Sequence, residues 1–140
     1  MSTPPRITGL DHVVLTVASI ARTVAFYGQA LGFESREFKH GRFALHFGRQ
    51  KINLHEVGTV VDANVRHATP GSADLCFLTQ SRLDDVMAHL AEIGVSVVQG
   101  PVNATGAGAR LRSIYFYDPD ENLIEVANEV DDDQANAALG

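Results

Sequence analysis

The amino-acid sequence predicts an α+β fold in which a β-α-β-β-β module occurs twice. Three landmarks of the first half return 62 positions later, namely a polar residue opening a strand, a serine before a helix and a glycine after it: His12 and Asp74, Ser19 and Ser81, Gly32 and Gly94. Two halves with matched polar residues predict a pseudo-symmetric molecule with a site built between them.

The first module is predicted from local patterns. Residues 7–17 alternate and are rich in β-branched side chains, which predicts a strand. Ser19 suits the N-cap of a helix whose apolar residues recur at helical spacing, and Gly32 ends that helix. Glycine-containing turns then separate three predicted strands, at residues 33–39, 42–48 and 51–57.

The second module repeats this order after a linker at residues 58–71. Its predicted elements are a strand at 73–79, a helix at 81–93 and strands at 95–99, 111–117 and 123–126, with a mobile loop at 101–109 and a hairpin turn at 118–122. We thus predict a flexible N-terminus at 1–6 and a single domain at 7–128, made of module one (7–57) and module two (72–128). The acidic residues 129–140 are predicted to be mostly disordered, with a weak helix as the alternative.

Bulk properties exclude several classes of protein. A chain of 140 residues can bury one real core, and its net charge of −6 without any basic stripe argues against nucleic-acid binding. No apolar run approaches the roughly 20 residues of a membrane span, and no signal-peptide core follows residues 1–6. The single cysteine, Cys76, is expected to be a buried inert thiol. We therefore expect a cytoplasmic protein that binds neither nucleic acid nor membrane.

Polar residues that interrupt the apolar strands are the candidates for chemistry. His12 opens the first strand and Asp74 holds the equivalent place in module two, while His55, Glu56 and Glu125 lie in the last strands of the modules. An unpaired charge buried in a packed sheet is costly, so such groups need partners or a cation. Two imidazoles and two carboxylates suit a divalent ion such as Ni²⁺, Co²⁺, Mn²⁺, Fe²⁺ or Zn²⁺.

Three segments resemble the vicinal oxygen chelate superfamily. They are the run from Asp11 to Val17 (DHVVLTV), Phe26-Tyr27 ahead of Leu31-Gly32, and the closing run from Tyr117 to Val126 (YDPDENLIEV). That superfamily includes glyoxalase I, extradiol dioxygenases, fosfomycin-resistance enzymes and metal-free bleomycin-binding proteins. The resemblance covers about residues 7–128, and residues 50–55 and 70–77 are most similar to small lactoylglutathione-lyase-like, virulence-associated glyoxalase-domain proteins.

The resemblance implies a cupped, eight-stranded mixed sheet around one divalent metal ion. His12 matches the ligand of the first strand and Glu125 the glutamate of the last strand. Asp74 stands where glyoxalase I usually has histidine, so this chain departs from the pattern there. Glu121 also departs, since relatives have glycine in this turn; a left-handed backbone would cost a side chain on the order of 1 kcal/mol.

The fourth ligand is either His55 or Glu56, depending on how the last strands of the modules are aligned. Only one of the two can point into the cup, because side chains alternate between the faces of a strand. We favour His55, because the Asn-Leu-His run resembles the ligand segment of relatives. The predicted metal ligands are then His12, His55, Asp74 and Glu125.

The resemblance implies a metal-dependent lyase or isomerase of the glyoxalase type. It would act on a small oxygen-rich substrate, with thiol adducts as one class, and Glu125 would move a proton, with Asp74 as the second choice. Alternatives are an iron dioxygenase, a fosfomycin-type thiol transferase using Arg110 and Arg112, and a metal-free protein that sequesters a drug. A homodimer is expected, because small members of the superfamily commonly pair.

Overall fold

The computed structural model describes residues 2–131, which form two helices and eight strands. In chain order these are β1 (His12–Val17), α1 (Ile20–Leu31), β2 (Glu34–Phe38), β3 (Arg42–Phe47), β4 (Gln50–Glu56), β5 (Asp74–Leu78), α2 (Leu83–Glu92), β6 (Gln99–Thr105), β7 (Arg110–Tyr117) and β8 (Leu123–Val130). Neither helix is long and apolar enough to cross a membrane.

The eight strands are divided between two four-stranded mixed sheets of the same topology. The strand order is β1-β4-β3-β2 in one sheet and β5-β8-β7-β6 in the other. In each sheet the first strand pairs with the last strand in parallel, and the other pairs are antiparallel. The predicted two-module α+β fold is therefore confirmed. Its strands form two hydrogen-bonded sheets, whose edge strands are β1 and β2 in one and β5 and β6 in the other.

The first helix begins and ends as the sequence predicts. The side chain of Ser19 accepts a hydrogen bond from the backbone N–H of Arg22, and Gly32 closes the helix in the left-handed conformation with φ 70°. Helix α2 begins two residues later than predicted, after Arg82, which makes no side-chain cap. Asp84 and Asp85 in its first turn favour this start through the helix dipole.

One hydrophobic core joins the two modules. It contains side chains of both sheets and both helices, including Leu15, Ile52, Leu90 and Ile124. The buried hydroxyl of Tyr27 on α1 donates a 2.6 Å hydrogen bond to Asp118 Oδ2 in the turn before β8. Burial and the neighbouring carboxylate raise the pKa of this phenol far above its usual range. Helix α1 of module one is thus fastened to module two.

The carboxylate of Asp118 stabilises the turn between β7 and β8 through hydrogen bonds within the turn. Asp118 Oδ1 accepts hydrogen bonds from the backbone N–H groups of Asp120 (2.9 Å) and Asn122 (3.0 Å). The side-chain amide of Asn122 donates to Asp118 Oδ2 at 2.9 Å. Within this turn Glu121 has φ 67°, so the left-handed backbone expected there is present.

The prediction for the second strand of module two is wrong. Residues 95–98 form no strand, whereas residues 101–105, which the sequence places in a loop, belong to β6. Pro101 looks like a strand breaker, but β6 is an edge strand, where proline is tolerated. Only a short connection then leads to β7, closed by a hydrogen bond from Gly106 N–H to the carbonyl of Ala109.

Two boundaries also differ from the prediction at the ends of the domain. The first strand begins at His12, five residues later than predicted from residue 7, and β8 continues through Val130. Residues 129–130 of the predicted tail therefore pair with β7. The disorder predicted for the remainder of the tail concerns residues 132–140, which lie outside the described residues.

Candidate functional site

Each sheet packs one face against the core and leaves the other face open. In module one, Val13, Leu15 and Val17 of β1 join the core, so the alternate residues His12, Val14 and Thr16 lie on the open face. In module two, Leu75 and Phe77 join the core, and the alternation places Asp74, Cys76 and Leu78 on the open face. The two open faces carry nearly all of the predicted site residues.

The strand register places two potential donors diagonally on each open face. In module one Val14 pairs with Asn53, so that Asn53 is the diagonal neighbour of His12. In module two Cys76 pairs with Glu125, so that Glu125 stands in the same relation to Asp74. Asn53 is therefore the structural counterpart of Glu125.

Asn53 is not among the site residues predicted from the sequence. A signal was present, because Ile52-Asn53-Leu54 and Ile124-Glu125-Val126 share one pattern, a polar residue between an isoleucine and a second aliphatic residue. Two side-chain oxygens on these residues are also alike in the structure. Asn53 Oδ1 and Glu125 Oε2 are both buried, and neither has a hydrogen-bond partner among the described residues.

His12 is oriented by its neighbour in the chain. Its Nδ1 lies 2.8 Å from Asp11 Oδ1, and this hydrogen bond lowers the pKa of the Asp11 carboxyl. With Nδ1 engaged as the donor, Nε2 keeps a free lone pair. A carboxylate–histidine pair of this kind commonly fixes the tautomer of a metal-binding imidazole. His12 is therefore suited to bind a metal ion.

Glu125 lies between a phenol and a thiol. Burial and the charge and hydrogen bonding of Glu125 raise the pKa of Tyr115 and raise that of Cys76 to about 11. Both neighbours therefore stay protonated near neutral pH and can donate to the carboxylate. As a residue Cys76 is exposed on the open face, so the prediction that it is buried is wrong, although its thiol is partly shielded from solvent. Its raised pKa nevertheless makes it a poor nucleophile.

The other two ligand candidates on β4 are engaged elsewhere. Glu56 lies on the opposite face, where its carboxylate accepts a hydrogen bond from the backbone N–H of Ile20 at the start of α1. His55 is on the open face, but its Nε2 lies 3.3 Å from Nη2 of Arg42. A guanidinium only donates, so this contact occupies the lone pair that a metal ion would need.

The register also separates His55 from His12. His12 pairs with Lys51 and His55 pairs with Thr16, four residues further along the two parallel strands. At about 3.3 Å per residue the two imidazoles start about 13 Å apart along the strands. The structure therefore does not bring His12 and His55 together around one ion.

Within one copy of residues 2–131, no three His, Cys, Asp or Glu side chains gather closely enough to hold a metal ion. His12 and Cys76 do line one small cavity between the modules, of about 120 Å³. That volume is below the several hundred Å³ of a usual ligand pocket. A single chain thus presents the donors in two pairs, one on each open face.

Comparison with known proteins identifies the family. The model of the Glyoxalase/Bleomycin resistance protein/Dioxygenase superfamily matches residues 9–126, and the chain belongs to this superfamily. The virulence protein STM3117 of Salmonella typhimurium is 48% identical over 121 residues, covering 86% of this chain and 84% of that protein. Its crystal structure superposes with a TM-score of 0.88 over 90% of this chain and all of that one.

One further relative and two structures of the same fold are also similar to this chain. The glyoxalase domain-containing protein RDO1 of Mycosarcoma maydis is 44% identical over 125 residues, covering 89% of this chain and 70% of that protein. A lactoylglutathione lyase from Agrobacterium tumefaciens (23% identity, TM-score 0.67, 89% and 95% covered) shares the fold. So does the antibiotic-binding protein TnmS3 from Streptomyces sp. CB03234 (22% identity, TM-score 0.71, 91% and 100% covered).

Proposed function

We propose that this protein is a metal-dependent lyase or isomerase of the glyoxalase type, acting on a small molecule with two neighbouring oxygens. Thiol adducts are one class of such substrates. The observation that carries the proposal is the Asp11–His12 pair, which leaves one imidazole lone pair free on an open sheet face. The shared fold of the lactoylglutathione lyase supports it.

The side chains proposed to hold the ion are those of the two diagonal pairs, His12 with Asn53 and Asp74 with Glu125. One imidazole and three oxygen donors suit a divalent ion such as Ni²⁺, Co²⁺, Zn²⁺, Mn²⁺ or Fe²⁺. Both Asn53 and Glu125 have a buried oxygen without a hydrogen-bond partner in the described chain, as expected of ligands without their cation. His55, the ligand favoured from the sequence, is left out because Arg42 engages its Nε2.

The chemistry of the chain itself centres on Glu125. A bound divalent ion would supply Lewis acidity that stabilises negative charge on the substrate oxygens. In this proposal Glu125 would take a proton from the carbon next to those oxygens and return it to the neighbouring carbon. Tyr115 and Cys76 lie beside it, and their raised pKa values keep both groups protonated near neutral pH, so that both are available as donors to the carboxylate.

We propose that two copies of the chain complete the site, as a homodimer. One copy presents its donors in two pairs, and the two open faces are opposite in charge. By register, the face of module one carries three cationic side chains and one acid, whereas that of module two carries three acids: Arg36, Arg42, Lys51 and Glu34 against Asp74, Glu125 and Glu129. Faces of opposite charge attract, so module one of one copy would meet module two of another.

The test is the metal content of the purified protein, measured by mass spectrometry together with its mass in solution. We expect about one transition-metal equivalent per chain in a dimer, because a closed site binds its ion tightly. His12→Ala should lose the metal. His67→Ala removes an exposed histidine of the linker and should keep it.

The same measurement decides between this proposal and a metal-free binding protein. That second candidate is favoured by the separation of the donors within one copy of residues 2–131 and by the fold shared with TnmS3. A protein that takes up no metal after reconstitution, in wild type and both variants alike, would refute the enzyme and support the binding protein. The identity of a bound metal would separate an iron dioxygenase from a nickel, cobalt or zinc isomerase.

A further inference from the structure

A second polar cluster lies on the open face of module one, outside the proposed metal ligands. It consists of Arg42, Lys51, His55 and Phe38, and we call it the Arg42 cluster. Arg42 and Phe38 pair across β2 and β3, and Arg42 contacts His55 on β4. All four side chains are partly buried. The cluster is therefore a partly buried cationic surface rather than a fully solvated one.

Two cations share one aromatic ring in this cluster. Lys51 Nζ lies 4.6 Å from the centroid of the Phe38 ring, and Arg42 Cζ lies 5.8 Å from it. No carboxylate within residues 2–131 forms an ion pair with either cation. Arg36, on the same face, differs because Glu34 neutralises it at 3.0 Å. Asp11 attracts Lys51 electrostatically, so Arg42 is the cation of this cluster without an acidic partner in one copy of residues 2–131, and an anion bound beside it would be attracted to its charge.

His55 holds the guanidinium in place. Arg42 can only donate, so His55 Nε2 accepts and the ring proton lies on Nδ1. Nδ1 is buried without a hydrogen-bond partner in the described chain, an arrangement that costs stability. Because this arrangement of the His55 ring lowers stability, we infer that the ring has another role. The side chain that it contacts is Arg42, so this role is to position the guanidinium.

We propose that the Arg42 cluster binds an oxyanion of the substrate, a carboxylate or a phosphonate, with Phe38 packed against the apolar part beside it. This inference rests on the proposed function in one respect, that the ligand is the molecule held at the diagonal donor pairs. Along β4, His55 lies two residues beyond Asn53 and four residues beyond Lys51, the residue that pairs with His12. The oxyanion would then lie about 7–13 Å from the chelating oxygens of the substrate.

The experiment titrates benzoate and phenylphosphonate into the metal-loaded protein and follows the side-chain nitrogen resonances of Arg42 and His55 by NMR. The two probes share an aromatic ring and differ in their oxyanion, so that their affinities separate carboxylate from phosphonate substrates. Arg42→Gln should weaken the tighter probe roughly tenfold or more, because charge-assisted hydrogen bonds are lost. Arg36→Gln removes the same charge from the same face and should change the affinity less than threefold.

Equal weakening in the two variants would overturn the proposal, because it would mean attraction to the whole face. Absence of binding to the wild type would overturn it as well. If Arg42→Gln does not fold, Lys51→Gln replaces it in the same comparison. Metal content is measured in each sample: probe binding without metal would refute the proposed enzyme and leave this site standing, whereas metal without probe binding refutes this site alone.

Discussion

The hydrogen bond between Tyr27 and Asp118 offers a sharp test of how the two modules are held together. Tyr27→Phe removes one buried hydroxyl and leaves the ring, whose contacts with Phe26 and Phe33 remain. A hydrogen bond to a charged group contributes about 1.5–3 kcal/mol. Because Asp118 Oδ2 keeps a second donor, the amide of Asn122, the carboxylate is not left unpartnered. We therefore expect a loss of about 2 kcal/mol in the free energy of unfolding.

For a domain of this size, that loss lowers Tm by roughly 7 °C. Urea unfolding and calorimetry measure the two quantities, with an unchanged urea slope showing that the unfolded state is the same. Tyr117→Phe is the matched control, since Tyr117 is 49% exposed and its loss should change stability by less than about 0.5 kcal/mol. A Tyr27→Phe protein as stable as the control would refute the idea that this hydrogen bond ties α1 to module two.

Three further predictions concern the site and its turn. Asp11→Ala should weaken metal binding about tenfold in a chelator competition, because the His12 ring is then no longer oriented. Asp62→Ala removes another exposed carboxylate and should leave the metal affinity unchanged. Equal metal affinities in the two variants would contradict the orienting role of Asp11. Glu121→Gly should raise the free energy of unfolding by about 0.5–1 kcal/mol, because φ 67° suits glycine, and a loss of stability in urea would show that the side chain contributes more than its backbone costs. Since the pKa of Cys76 is raised to about 11, its thiolate below pH 9 is about a hundredfold scarcer than that of an ordinary thiol. Alkylation by iodoacetamide, measured by mass spectrometry, should therefore be about a hundredfold slower, and its rate should increase with pH towards pH 11. Labelling at pH 8 as fast as that of free cysteine would contradict this.

The order of elements could be predicted because its signals are local. The N-cap at Ser19, the left-handed Gly32 and the alternation of the strands each act over a few residues, and each is present in the structure. The miss at β6 has a physical reason, since Pro101 is read as a break unless the strand is known to lie at a sheet edge. Edge position depends on pairing between distant segments, which no local pattern contains.

The candidate site shows the same division between local and distant information. Alternation along β4 correctly puts His55 and Glu56 on different faces. It cannot say which residue of β4 lies beside which residue of β1, and that register makes Asn53 the counterpart of Glu125. The contact of Arg42 with His55 is likewise a product of pairing between β3 and β4. The sequence thus predicts which residues of β4 lie on the open face. It does not predict which of them lies beside His12.

The packing of α1 onto module two has a consequence for how the chain could be divided. The linker between β4 and β5 contains no helix or strand. The modules are instead joined by the shared core and by two hydrogen bonds, one from Tyr27 to Asp118 and one from the backbone N–H of Ala18 to the Asp120 carboxylate. A cut near the middle of the linker at residues 58–71 would therefore leave these contacts between the modules in place. The two halves, produced as separate fragments, should associate and refold as a noncovalent pair. The duplicated chain is therefore suited to use as a split protein.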